Sequence, residues 1–505
     1  MPNNLSIAAL WAWATALLVV WYVVTATAAW YRLRHIPGPW LARFSYLWKF
    51  YTILSGKTSE NFIDLNRYNS GTLVITAPDY LVTSDPNVLR KTMASRSVYT
   101  RDGWYLATKF RPDQENMAST LDTAAHDLLK AKTASGYSGR EIGSELEAVI
   151  DSQILRFVDL IRRKYLSKQD RLNAVDFAPI SRYFTMDVIT RLLFGEPFGH
   201  LDEGMDVVGW IGAMDSMLPV LTVCMEMPLI RGLFFSKFGL GLFGPKPTDN
   251  HGLGRVMGVV NELIRQRFES DTKGTTKDMM GGFIRNGMTR HECEGEAMIA
   301  IVAGSDTTAG SIRATLLCLM ANPRVYARLK REIKQAVEQG VSNPITNDQA
   351  AKLPYLQAVI WEGFRFANPI SFGHPKVVPP GGDEFNGIFV PAGTRIGHNT
   401  LGLTRNEKVF GKDVNIFRPE RFLECAEDEK TERMRALDIV FGGGRWTCAG
   451  RNVALVELNK IFFELLRAFD FQAVNPYKPV EEFVYVARQH RNMWVRISEA
   501  DWERV

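Results

Sequence analysis

The sequence predicts a mainly α-helical protein with small β-sheets, preceded by a single N-terminal transmembrane helix. Three observations predict it. The chain opens on a long uncharged stretch, apolar residues then recur at helical spacing through most of its length, and strand-like runs are few and short. With 505 residues, 46% apolar and 23% charged, the composition is that of a globular protein with a sizeable core.

From Leu5 to Tyr31 no charged side chain occurs, and about 20 apolar residues suffice as helix to cross a bilayer core. Trp11, Trp13, Trp21, Tyr22, Trp30 and Tyr31 include residues placed for the membrane interfaces. Arg32, Arg34 and His35 follow the run and no basic residue precedes it, which by the positive-inside rule places the bulk of the chain in the cytosol. Ala26-Thr27-Ala28 resembles a cleavage site, but a signal peptide would carry a basic leader and a shorter apolar core. Residues 1–31 therefore read as an anchor. Asn4-Leu5-Ser6 matches a glycosylation sequon that abuts the membrane. A basic, Pro-rich hinge over 32–44 contains Ile36-Pro37-Gly38-Pro39, a stiff connector because proline fixes φ and blocks helix continuation. No polar linker divides residues 45–505, which read as one catalytic domain.

Within that domain, helical periodicity runs over Glu145–Lys164, Phe184–Leu193, Met257–Phe268, Glu294–Met320, Arg324–Gln339 and Tyr355–Phe366. Asn322-Pro323 closes the Glu294 helix, since the residue before proline is pushed out of the α region. Strands are expected near Thr72–Ile75, Tyr80–Thr83, Gly387–Val390 and Met493–Ile497. In the Met/Leu/Phe-rich stretch 210–244, Gly239, Gly241 and Gly244 satisfy a GxGxxG spacing. No βαβ pattern surrounds them and Pro245 and Pro247 follow, so the stretch reads as an apolar loop that touches the membrane.

The five cysteines are widely spaced and include no CxxC pair, which excludes a disulfide framework and a zinc site and fits a reducing compartment. The net charge of +5 comes from scattered basic residues, so no nucleic-acid surface is expected. One cysteine stands apart. Phe441-Gly442-Gly443-Gly444-Arg445-Trp446-Thr447-Cys448-Ala449-Gly450 combines glycines that permit close backbone approach with a thiol at the head of a helix beginning near Arg451. Amide N–H groups there can stabilise a metal-binding thiolate, and Gly450 allows a tight passage into the helix.

These ten residues resemble the heme-binding loop of the cytochrome P450 family, which implies the family's fold and a heme b whose iron is held by Cys448. The loop departs from the family's commonest form, because Trp446 stands where an arginine usually meets a heme propionate and Arg445 lies one place earlier. Gly-Arg-Trp-x-Cys is similar to a fungal microsomal subgroup resembling pisatin demethylase.

Three further motifs follow the family's order. Glu362-Gly-Phe-Arg365, with Phe417-Arg-Pro419-Glu420-Arg421-Phe422, resembles a buried Glu-Arg-Arg cluster, so Glu362, Arg365 and Arg421 are assigned a structural role. Ala303-Gly304-Ser305-Asp306-Thr307-Thr308 resembles the acid–alcohol pair that delivers protons during oxygen activation, with Gly304 leaving room for a diatomic ligand. A threonine there could equally bond its own helix carbonyl. His126-Asp-Leu-Leu-Lys130 resembles the helix whose His or aromatic and basic residues contact a propionate, and a solvated helix face is its alternative.

The resemblance implies a monooxygenase fed by NADPH through a separate reductase in the same membrane, the endoplasmic reticulum, with cytochrome b5 as a further donor. Exposed Lys and Arg near the thiolate face are the expected docking surface. The substrate is expected to be lipophilic, in a pocket drawn from Trp104 to Phe110, the 210–244 stretch, Ile301, Ala303 and Gly304, and Pro369 to Pro375 with Ile370 and Phe372. Tailoring of secondary metabolites is the subgroup's usual task. Rival readings are a heme-thiolate isomerase or dehydratase that needs no reductase, and a non-catalytic heme sensor.

Overall fold

The computed structural model describes residues 7–68, 71–138, 145–168, 170–271 and 274–503. The sequon at Asn4 lies outside them. Helix α1 (Ile7–Leu33) carries the uncharged run. Its Ala9–Leu33 span has a mean hydropathy of 1.8, is 6% buried against the rest of the chain, and is long and apolar enough to cross a membrane. Leu33 and Ile36 then bury against the first sheet, where Pro37 O accepts Ile75 N at 2.9 Å, so the hinge is docked.

A five-stranded sheet is built from β1 (Val74–Ala77), β2 (Tyr80–Thr83), β3 (Thr100–Arg101), β4 (Phe372–Val377) and β5 (Arg395–Asn399), in the order β1-β2-β5-β4-β3. Tyr80 pairs with Arg395 in the parallel β2–β5 ladder, and the other ladders are antiparallel. Ala174–Asp176, Trp494–Glu499 and Phe469–Ala473 form a second sheet, and two hairpins complete the sheets of the described residues. The expected strand Tyr80–Thr83 matches the observed one, and the other three differ by one or two residues at their ends.

The helices that position the site are, in chain order, α2 (Leu47–Leu54), α3 (Thr123–Tyr137), α4 (Phe177–Phe194), α5 (Trp210–Glu226), α6 (Pro228–Phe234), α7 (Lys237–Phe243), α8 (Arg290–Ala321), α9 (Pro354–Ala367) and α10 (Arg451–Ala468). The Thr289 hydroxyl accepts Glu292 N while Glu292 reaches back to Thr289 N, a capping box that starts α8. Asn322 leaves the helical region at φ −127°, ψ 78°, because Pro323 follows and opens the next helix. Helix α8 is buried for most of its length between α4 and α9, and Phe157, Phe184, Leu319 and Phe462 belong to the main core around it. The Glu145 helix is α-helical only to Leu160, after which Ile161–Tyr165 widens to a π turn.

The 210–244 stretch is not a loop. It folds into α5, α6 and α7, with Gly239 and Gly241 inside α7 and Gly244 capping it, so the glycine spacing builds no phosphate cradle. Pro228 at the first position of α6 forces the break after Met227, and α5 and α6 meet at 116°. Leu229, Leu233, Phe238, Leu242 and Phe243 are left exposed on α6 and α7.

Candidate functional site

Cys448 precedes α10 by three residues, and its amide donates to Phe441 O at 2.7 Å, which closes the glycine loop. Gly442 at φ +77° would place a Cβ 2.5 Å from Trp446 O, and Gly444 at φ +54° would drive one into the backbone at Met93 and Ser95. Both positions demand glycine. Gly450 does not: its φ is −81° and a Cβ there would meet no atom within 4 Å, so no tight passage into α10 depends on it. Cys448 is exposed at the surface of the described residues, and desolvation pushes its thiol up. The amides of Gly450 and Arg451 and the charges of Lys130 and Arg451 act in the opposite direction, toward the thiolate. Phe441 packs edge-on against Phe364 of α9, with centroids 5.0 Å apart.

Trp446 is the centre of a cationic cluster. Lys376 Nζ of β4 lies 3.4 Å from the indole centroid and the Arg101 guanidinium of β3 lies 4.5 Å from it. The His126 ring of α3 packs at 4.5 Å. Desolvated cation–π contacts of this kind contribute about 2 kcal/mol each. Lys376 is 1% exposed and its Nζ has no hydrogen-bond partner among the described residues, and burial, Arg101 and Arg445 push it far below the usual lysine range. Burial, with Arg101 beside it, pushes His126 down to about 4. Arg445 pairs with Asp127 at 3.2 Å, and His126 Nδ1 is 3.1 Å from the same carboxylate. Lys130 donates to Arg445 O at 2.6 Å and Thr447 O at 3.0 Å, which makes it a clamp on the cysteine loop, neither a solvated group nor a free cation.

On α8, Ala303 is exposed and Thr307 half-buried one turn apart, so this face of a buried helix borders open space. The Thr307 hydroxyl donates to Ala303 O at 2.7 Å. Gly304 has a different task from the one expected: a Cβ there would meet Ile189 of α4 at 3.1 Å, so the glycine lets α8 and α4 approach. Asp306 is buried, and Arg182 of α4 places its Nε 2.7 Å from Asp306 Oδ1.

Glu362 and Arg365 of α9 form a bidentate pair at 2.7 Å, and Arg421 Nε lies 3.0 Å from the same carboxylate. All three are 0% exposed. Arg365 also donates to the carbonyls of Thr404, Val414 and Ile416, and Arg421 to those of Phe410, Asp413 and Ile416. Three buried charges with their donors satisfied tie α9 to residues 404–421; removing one partner of such a cluster costs about 3–5 kcal/mol.

The expected pocket residues scatter. Ile301 is fully buried in the main core and Phe372 is buried against Phe62 with ring centroids 4.5 Å apart, so neither borders a space. Phe110 is buried in the same main core. Trp104 is buried too, its Nε1 donating to Glu226 Oε1 at 2.7 Å. Ile370 is half-buried and bridges to Ala487. Arg101, Arg182 and Lys376 were not singled out in the sequence. Arg182 offered a signal, a guanidinium inside the apolar run of α4, where charge survives only when paired.

This fold and this cysteine loop define a heme-thiolate protein. Residues 79–493 match the family Cytochrome P450, and the chain belongs to it. It is similar to the cytochrome P450 monooxygenase ABA1 of Pyricularia oryzae, 43% identical over 498 residues covering 96% of this chain and 97% of the relative. The cytochrome P450 monooxygenase aba1 of Botryotinia fuckeliana is 43% identical over 473 residues, 93% of this chain and 92% of its own. The crystal structure of the cytochrome P450DA heme domain superposes with a TM-score of 0.73 over 92% of this chain and 98% of that one; at 17% identity it shows the fold alone. The chain is a heme-thiolate monooxygenase.

Proposed function

We propose that this enzyme uses NADPH and dioxygen to hydroxylate or otherwise oxidise a lipophilic small molecule in fungal secondary-metabolite biosynthesis, with Cys448 as the residue that would hold the iron of its heme b. The observation that carries the reading is the accessible Cys448 thiol at the head of α10, faced by two backbone amides and the Lys130 ammonium. Iron binding needs the thiolate, and these groups favour it.

The residues present fit the cofactor. Lys376 Nζ, with no hydrogen-bond partner among the described residues and Arg101 beside it, would regain its charge and a partner against an anion, and the heme propionates are carboxylates. His126, Arg445 and Trp446 line the same cluster. When bound, a thiolate-ligated heme activates dioxygen, because the thiolate pushes electron density onto the iron and favours O–O cleavage. The chain supplies the rest. Lys130 fixes the loop that carries Cys448, Asp306 and Thr307 hold and pass protons along α8, and Glu362, Arg365 and Arg421 hold α9 in place behind the loop.

Electrons come from NADPH–cytochrome P450 reductase, with cytochrome b5 as a further donor. Helix α1 is a single-pass anchor in the endoplasmic reticulum membrane, and residues 45–505 form the cytosolic catalytic domain. Exposed apolar side chains on α6 and α7, next to α2, support its seating on the bilayer.

The test is the carbon monoxide difference spectrum of reduced membranes containing the full chain, beside Cys448→Ser. A long-wavelength Soret band present in the first and absent in the second is expected. A folded, heme-loaded wild type without that band would sink the ligand assignment.

A further inference from the structure

Beyond the docked hinge the chain doubles back on α1. Phe44 stacks on Trp30 with ring centroids 6.2 Å apart, and its carbonyl accepts the Tyr22 hydroxyl at 3.1 Å. Trp40 packs on the same Phe44 ring at 5.5 Å, so residues 40–44 lie beside the last turns of the helix they follow. Trp40, Leu47 and Tyr51 are nevertheless exposed, Trp40 by 74%. Aromatic side chains gathered at the end of an apolar helix mark the level of the lipid headgroups.

Two arginines meet at that level. The Arg34 guanidinium lies 4.3 Å from the centroid of the Tyr31 ring, and Arg43 Nη1 donates to Arg34 O at 3.3 Å. Arg34 is exposed and Arg43 half-buried, and neither pairs with a carboxylate among the described residues. Asp79, which reaches the same segment through Tyr46, is engaged by Arg395. The frame around them is fixed. Arg32 Nη2 donates to Thr394 Oγ1 at 3.0 Å and His35 Nε2 to Phe389 O at 2.7 Å, which ties the end of α1 to the catalytic domain. A basic residue after an anchor sets orientation alone; the fold adds a second one from the returning segment and holds both in place.

We propose that Arg34 and Arg43 form a binding site for the phosphate of an anionic phospholipid in the cytosolic leaflet. This rests on the reading of α1 as a membrane anchor. A guanidinium is charged at any physiological pH, and its planar fork matches phosphate oxygens. An anionic lipid is favoured over phosphatidylcholine, whose choline brings a cation of its own to the pair. The exposed Trp40 and Leu41 beside the site suit the acyl chains of the same lipid.

The heme-loaded full chain is reconstituted in phosphatidylcholine vesicles carrying a trace of spin-labelled phosphatidylserine or spin-labelled phosphatidylcholine. The fraction of label immobilised at the protein is read by electron paramagnetic resonance at physiological salt. Wild type is expected to favour the phosphatidylserine label about tenfold, since each basic group at a membrane surface contributes up to about fivefold. Arg34→Gln/Arg43→Gln brings the ratio to about two or below, and Arg34→Lys/Arg43→Lys, which keeps the charge, retains at least half of it. Arg324→Gln/Arg331→Gln removes as much charge from exposed positions on the helix Pro323–Glu338 and leaves the ratio unchanged. A wild type without preference, a preference that survives the first pair, or an equal loss in the second overturns the proposal. Millimolar glycerophosphoserine, the headgroup without its chains, separates the sources. Unchanged association is expected; abolished association would make the ligand a soluble phosphoester and overturn the assignment to the leaflet. Flotation of the same vesicles separates the two failures. A chain that does not float with them removes the anchor reading and this one with it, whereas a floating chain without lipid preference removes the Arg34–Arg43 site alone.

Discussion

Arg182 Nε stands 2.7 Å from Asp306 Oδ1, while Arg182 Nη1 stands 2.7 Å from Asp215 Oδ1. One buried guanidinium thus joins the acid of α8 to a carboxylate on α5, and Asp215 in turn meets the partly exposed Arg491 at 3.5 Å. Deleting one partner of a buried pair strands the other charge, at a cost of about 3–5 kcal/mol. Arg182→Met should lose stability of that order in thermal unfolding. The double variant Arg182→Met/Asp306→Asn should recover part of it; strictly additive losses would show that the two residues do not act as a pair.

Asp306 and Thr307 are proposed to move protons, so their removal should slow chemistry in the protein that still folds, Asp306→Asn also losing stability through its pair with Arg182. With purified reductase, Asp306→Asn is expected to slow product formation by about 10²-fold, the usual scale of a lost proton-transfer group. Thr307→Ala should divert NADPH consumption from product to peroxide. Full, coupled turnover by Thr307→Ala would instead favour the reductase-free isomerase or dehydratase reading.

Glu296 of α8 supplies a pH dependence. One carboxyl oxygen accepts the Met117 amide and the other is buried without a hydrogen-bond partner among the described residues. Burial pushes the group up from 4.5 to about 7. A carboxyl whose folded pKa exceeds its unfolded one destabilises the fold progressively as pH rises from 4.5 to about 7, reaching about 3 kcal/mol above that range. Glu296→Gln should therefore match wild type near pH 5 and exceed it by a few kcal/mol near pH 8. Denaturant midpoints at the two pH values measure this, and equal midpoints at both would show that the side chain is not charged on the alkaline side.

What could be read from the sequence was what lies close together in it. The Phe441–Gly450 loop, the Ala303–Thr308 turn and the Glu362/Arg365 pair are contiguous, and periodicity alone put the last two on helices. Arg101, Lys376 and Arg182 escaped because each meets its partners through packing between distant segments: Lys376 and Trp446 come together only when β4 docks on the cysteine loop. The opposite error befell residues 210–244. Glycine and proline disfavour helix locally, but Pro219 is accepted inside α5 and two glycines inside α7, because apolar contacts such as those of Leu218 and Leu240 hold turns that propensity does not. Gly304 was placed on the right helix and given the wrong neighbour, since helix spacing tells which turn a residue occupies but not which partner helix faces it.

The proposed seating on the bilayer rests on two contacts, α1 and the apolar tips of α6 and α7, and these can be separated. Leu229 is 83% exposed and Phe238 77% exposed, although fully burying such side chains is worth about 1.5–3 kcal/mol each. Met227 and Ile230, at the α5–α6 elbow, pack with Trp48 and Ile53 of α2, so the patch lies beside the helix that follows the hinge. A chain lacking residues 1–33 should then still bind phospholipid vesicles, and binding should persist at high salt, because the attraction is apolar and not electrostatic. Leu229→Asp and Phe238→Asp should each weaken that binding by about tenfold or more, since 1.4 kcal/mol is a factor of ten. The same changes should leave the carbon monoxide spectrum unaltered, because neither side chain is part of the packed core. Vesicle flotation of the truncated chain with and without the two substitutions decides it: equal flotation would leave α1 as the sole membrane contact.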